Sequence, residues 1–178
     1  MALERVDDDV QFYRDLSTDD SITITVKGAI YVEREIRELL ASQVFDRSAL
    51  DKVDLTYWHR VQLAVAFGLD PRFQPPLKKL GEIRNKFAHI LRDELNAEDV
   101  KQFYDSFHPD EKSLIQATYA KIRLAGKYGT KRPKRLSNLS PTDQFQIYVT
   151  TLRAALLVAK KQAPLGLKAA APSDQSTA

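Results

Sequence analysis

Apolar positions recur at helical spacing along most of this chain, and they predict a sequence of helices separated by short polar breaks. Residues 4–16 read as a first helix, with Val6, Val10 and Tyr13 on one side. The next stretch, DDSITITVKGAIYVEREIRELLASQVF, contains a conflict. Ile22 to Val26 alternates β-branched residues as a strand would. Over five turns, however, Ile22, Val26, Ala29, Ile36 and Leu40 recur at helical spacing, and Asp19 or Asp20 can cap the start. No partner strand is apparent nearby, so one long helix is expected.

A third helix is expected over residues 57–67, closed by Gly68 with Pro71 just beyond. Pro75 and Pro76 open a fourth, running to about Leu91. A fifth starts at Pro109, with acids in its first turn and bases in its last, as the helix dipole favours. Ser140-Pro141-Thr142-Asp143 opens the last, which continues to about Lys161. Leu63, Val65 and Phe67 are expected to serve the core rather than a ligand. Residues 163–178, APLGLKAAAPSDQSTA, are small, polar and broken by proline, the composition of a disordered tail. The expected architecture is therefore all-α: a bundle of about five to six helices, one domain over residues 1–162, without internal repeats.

Composition narrows the chemistry. The 178 residues include no cysteine, which excludes a disulfide framework, a thiol nucleophile and a thiolate zinc site and fits a reducing compartment. A chain of this length buries roughly two-thirds of its unfolded surface and needs no staples. The first twenty residues lack a signal-peptide core, and no apolar run reaches membrane-spanning length. A soluble, cytoplasmic protein with no membrane partner is expected. The three histidines show no metal-ligand spacing, and no glycine-rich phosphate loop or G-x-S-x-G occurs, so no metal or cofactor is implied. His59 reads as an exposed residue at a helix start and His108 as a boundary residue.

The net charge of +3 is unevenly placed. Residues 1–20 carry seven acids against two bases. From Arg123 to Thr142 there is no acid, whereas Arg123, Lys127, Lys131, Arg132, Lys134 and Arg135 are basic. In KYGTKRPKRLSNLSP, Lys127, Lys131, Arg132, Lys134 and Arg135 surround Tyr128, a pattern suited to a phosphate backbone and a stacked base. The same loop is also what a solvated connection between helices looks like. KRPKR resembles a nuclear-import patch too, a run common by chance.

EIRNKFAH, residues 82–89, carries the candidate chemistry. At 100° per residue, Leu80, Ile83, Phe87, Ile90 and Leu91 form one stripe that faces the core. His89 lies opposite that stripe, with Asn85 one turn before it and Asp93 one turn after. Arg84 lies roughly 140° from His89 around the axis, so the two converge only if Arg84 bends around the helix or a second copy faces the first. An ordinary solvated face, with Glu82 and Lys86 paired, accounts for the same residues.

The run Arg84-Asn85-Lys86-Phe87-Ala88-His89 resembles the Arg-polar-x-x-x-His motif of the HEPN superfamily of small helical proteins. The resemblance implies a metal-independent ribonuclease site built from Arg84, Asn85 and His89 and shared across a two-fold homodimer. Residues 18–160 also resemble, in apolar pattern and element order, the mannitol operon repressor family. That likeness implies an all-α regulator of transcription without an evident helix-turn-helix. Asn85 departs from the acid expected after the arginine in that second family, which favours the nuclease pattern. The chemistry suits these residue types: histidine moves a proton near neutral pH, and an arginine fork grips phosphoryl oxygens. Asn85 would orient His89 or bond a phosphate. Because the nucleophile is the 2′-hydroxyl, such a site acts on RNA and not DNA. The leading expectation is a metal-independent endoribonuclease that binds RNA or another nucleic acid, with an antitoxin or regulatory protein as a further possible partner. The alternatives are a non-catalytic regulator and a helical adaptor with no nucleic-acid role.

Overall fold

The computed structural model describes residues 2–89, 94–124 and 133–162. All regular structure among them is helical: α1 (Ala2–Leu16), α2 (Ser21–Gln43), α3 (Arg47–Asp51), α4 (Tyr57–Ala66), α5 (Gln74–His89), α6 (Ala97–Asp105), α7 (Pro109–Leu124) and α8 (Pro141–Gln162). Short 3-10 turns at Pro71–Phe73 and Leu136–Asn138 lead into α5 and α8. The count of eight corrects the expected five to six. Helix α3 has five residues and buries none of them, so it leaves no apolar stripe to read. Helix α6 has nine residues, with Val100 and Phe103 buried beside Asp99, too few to establish a period. Both are capped by side chains that the sequence reading did not single out. Asp46 accepts the Ala49 N–H at 3.1 Å and Asn96 accepts the Asp99 N–H at 2.7 Å. The tail at residues 163–178, and Ile90, Leu91 and Asp93, lie outside the described residues.

The conflict at residues 22–26 resolves as helix. Asp20 caps α2, its carboxylate accepting the Thr23 N–H at 2.9 Å. The buried face differs from the expected one in its first turns. Ile24, Ala29, Val32, Ile36, Leu39 and Leu40 are buried, while Ile22 is 42 % exposed. Two residues apart on a helix point to nearly opposite sides, so choosing Ile24 for the core turns Ile22 outward. In α1 the core is met by Phe12 and Leu16, and Val10 and Tyr13 face out. Leu63, Val65 and Phe67 are half-buried against the core, whose fully buried members from α4 are Val61 and Ala64.

Helix α2 is the hub, packing against α1, α4, α5 and α8, while α6 bridges α5 to α8 and α7 packs on α8. The approach of α2 to α8 is close at Gly28, where an added Cβ would sit 3.1 Å from Val149 Cγ1. Asp15 ties α1 to α2 by accepting from Lys27 Nζ and the Tyr31 hydroxyl, each at 2.8 Å. The Lys27 bond foremost, with that of Tyr31, holds the Asp15 carboxyl below the usual carboxylate range.

Charged groups also enter the α2–α8 seam. Arg153 is 4 % exposed and donates from Nε to Glu35 Oε1 at 3.2 Å; Glu35 is 5 % exposed. Lys160 Nζ donates to Glu35 Oε2 at 2.8 Å. Arg153 Nη2 lies 2.7 Å from Asp9 Oδ1, and its guanidinium carbon stands 4.3 Å from the Phe12 ring centroid. Removing one partner of a buried pair strands the other, and Lys160 compensates only in part. Arg153→Met is expected to lower unfolding free energy by about 3 kcal/mol in urea melts. Adding Glu35→Leu should restore most of the loss, because no buried charge is then left alone. A single-variant loss under about 1 kcal/mol would place Arg153 with ordinary surface pairs instead.

Candidate functional site

Helix α5 presents three different environments around its axis. Leu80, Ile83 and Phe87 are buried, as the stripe requires. One flank is covered by α6: Lys86 Nζ lies 2.6 Å from Asp99 Oδ1, and Lys79 Nζ donates to Gln102 Oε1 at 3.3 Å. Glu82 pairs with Lys79 at 2.6 Å. The expected Glu82–Lys86 pair is therefore not formed, because α6 brings Asp99 onto Lys86.

The other flank forms a groove with the start of α4. It has a volume of about 420 Å³, and its walls include Tyr57, Trp58, Lys78, Glu82, Arg84 and Asn85. Sequence dictates its shape at two points. Thr56 caps α4 by accepting the His59 N–H at 3.2 Å, which starts the helix immediately before the two aromatics. Gly81 then lets Tyr57 lie against α5, since a Cβ there would come within 2.6 Å of Tyr57 Cε1. The Tyr57 hydroxyl donates to the Leu77 carbonyl at 2.7 Å. Burial first, then the Glu33 carboxylate, pushes the Tyr57 phenol up, with Arg84 opposing. It stays protonated and acts as a fixed floor.

Arg84 is positioned from two sides. Its guanidinium carbon stands 5.7 Å from the Tyr57 ring centroid, and Nη2 is 3.7 Å from Glu33 Oε2 on α2. Glu33 is shared, since Arg60 of α4 donates to its Oε1 at 2.8 Å. One carboxylate thus orients two guanidiniums without cancelling both. Lys78 is exposed, and its ammonium lies 5.9 Å from the Trp58 ring centroid with no acidic partner among the described residues.

Of the motif residues, Arg84 and Asn85 share this groove, with Asn85 exposed. His89 closes α5, one turn after Asn85 along the backbone; its side-chain placement lies outside the described structure. His59 is exposed, as expected. His108 is a boundary residue whose carbonyl accepts the Lys112 N–H at 3.0 Å and starts α7. Its Nδ1 lies 3.5 Å from Asp110 Oδ2.

Among the loop residues, Lys127, Tyr128, Lys131 and Arg132 lie outside the described residues. Lys134 and Arg135 are exposed and border a second cavity of about 520 Å³, with Lys101, Tyr104, Gln116, Gln144 and Tyr148 among its walls. Burial above all pushes the Tyr148 phenol up, so it stays neutral there. Lys101 is partly offset by Asp105 at 3.1 Å.

Sequence reasoning missed Tyr57, Trp58 and Lys78 as neighbours of the motif. The signals available were the lone tryptophan at a capped helix start and a small residue, Gly81, in the polar part of α5. Neither says that α4 and α5 meet there. No helix among the described residues is long and apolar enough to cross a membrane. No protein-family model matches the chain, and no significant match is found to a curated protein or a solved structure.

Proposed function

We propose that this is a nucleic-acid-acting protein of HEPN-like architecture, most concretely a metal-independent endoribonuclease using Arg84, Asn85 and His89. The observation that carries the reading is the placement of Arg84. Its guanidinium is oriented by Glu33 and Tyr57 on the α4-facing flank of α5, next to the buried Leu80–Ile83–Phe87 stripe and in the groove that Asn85 also lines. An arginine held in advance loses less freedom when it grips a phosphoryl group.

In the proposed reaction the RNA 2′-oxygen attacks the adjacent phosphorus while His89 takes its proton. The bond to the 5′-oxygen breaks, that oxygen is protonated, and a 2′,3′-cyclic phosphate and a 5′-hydroxyl result. Arg84 stabilises the charge that grows on the phosphoryl oxygens. Because positions 84 and 89 are separated around the helix by roughly 140°, the complete site is assigned to a homodimer in which two α5 helices face each other. Arg84 of one protomer then serves with His89 of its partner. The basic cavity at Lys134 and Arg135 extends the RNA path, together with Lys127, Tyr128, Lys131 and Arg132. The cytoplasm is the compartment that supplies such a substrate.

Cleavage of a mixed RNA panel should persist in excess EDTA and leave cyclic phosphate ends, as read by end-group analysis. Arg84→Ala should lower kcat by about 10²–10³-fold, and His89→Ala should abolish cleavage with unchanged helical circular dichroism. A requirement for divalent metal would refute the mechanism. Binding of nucleic acid without any cleavage would instead favour a non-catalytic regulator of the mannitol operon repressor type.

The composite site requires association, so sedimentation at micromolar concentration should give a dimer. A monomer that still cleaves would confine the site to one chain.

Lys134→Ala with Arg135→Ala should weaken RNA binding and reduce the slope of log affinity against log salt by about 1–2. Stability should stay within about 0.5 kcal/mol, since both side chains are exposed. An unchanged salt slope would remove these two residues from the interface.

A further inference from the structure

The groove beside Arg84 has features that phosphate chemistry alone does not require. The only tryptophan of the chain, Trp58, forms part of its wall. Trp58 is half-buried and packs by its inner side on the core, as does Tyr57. Both rings are therefore held in place before any ligand arrives. Flat aromatic faces fixed at the edge of a cationic groove are what unpaired bases stack on, whatever their sequence.

Charge supports the same ligand. Lys78 and Arg84 line the groove with one carboxylate, Glu82, and behind its wall Arg60 shares Glu33 with Arg84. Glu82 is taken up by Lys79 and Glu33 is shared by two arginines, which leaves Lys78 without an acidic partner among the described residues. The first N–H groups of α4, without partners inside their own helix, add positive potential at the same rim. At about 420 Å³ the groove falls near the small end of ligand clefts, ~300–1,000 Å³. That suits one nucleotide.

We propose that this groove seats a single unpaired nucleotide of the RNA, with its base on Trp58 and its phosphate between Lys78 and Arg84. The assignment rests on the ribonuclease reading for its biological substrate, but the seat itself does not depend on cleavage. The ammonium of Lys78 stands over the Trp58 ring, 5.9 Å from its centroid; Lys78 is exposed, and a base that stacks on that face displaces the ammonium to the rim, where it meets the phosphate. The seat favours single-stranded over paired RNA, because a base inside a helix has no free face to offer.

The lone tryptophan makes the test direct. The full chain is titrated with 5′-AMP, adenosine and inorganic phosphate while Trp58 fluorescence is followed. AMP should quench saturably, adenosine should bind more weakly, and phosphate should compete with AMP. Lys78→Glu, at an exposed position, should weaken AMP by about tenfold or more with unchanged circular dichroism. Trp58→Ala, followed by calorimetry, should also cost about tenfold. Absence of saturable quenching, or equal AMP affinity in wild type and Lys78→Glu, overturns the seat. AMP binding in a protein that cleaves no RNA leaves the seat standing and removes the nuclease; cleavage without AMP binding does the reverse.

Discussion

The structure turns on how closely α2 and α8 approach and on the charges sealed between them. Gly28 permits the contact with Val149, and Arg153 and Glu35 meet within the seam. Two desolvated charges are tolerated only when each finds its partners. Arg153 finds them in a single arrangement, with Asp9 and Phe12 from α1 and Glu35 from α2. Rotating α8 by one residue would carry the guanidinium about 100° away. The seam therefore fixes the rotation of α8 and the docking of α1 together, whereas apolar packing alone tolerates several rotations.

The candidate site inherits this order through α2. Glu35 belongs to the seam, and Glu33, two residues earlier, points toward α4 and α5, where it meets Arg60 and Arg84. Opposite sides of one helix thus connect the buried Arg153–Glu35 pair to the catalytic candidate Arg84. The spacing between carboxylates on α2 does two jobs, and a shift of α2 along its axis would disturb both.

Much of this was readable from the chain. Helix α2 was legible because its periodicity lasts long enough to outweigh the β-branched run at residues 22–26. The stripe of α5 was legible because Leu80, Ile83 and Phe87 hold one face. Short elements were not: α3 buries nothing, and α6 draws part of its anchorage from Asp99, a polar residue no apolar pattern flags. The motif residues Arg84 and Asn85 were identifiable, while the groove they border was not. Its other wall comes from Trp58, and the meeting of α4 with α5 depends on Gly81 accepting the Tyr57 ring, a tertiary fit. Glu33 was invisible for the same reason, since its two arginines are far from it in sequence.

Lys160 lies two residues before the end of α8, where a helix ordinarily frays. Its ammonium is bound to a carboxylate that is itself 5 % exposed. Opening that last turn would withdraw one of the groups that neutralise Glu35, so the terminus is coupled to the centre of the bundle. Amide hydrogens near residue 160 should then exchange through a larger unfolding event rather than by local fraying. Protection against exchange, usually highest in the middle of a helix, is expected here to extend close to its end.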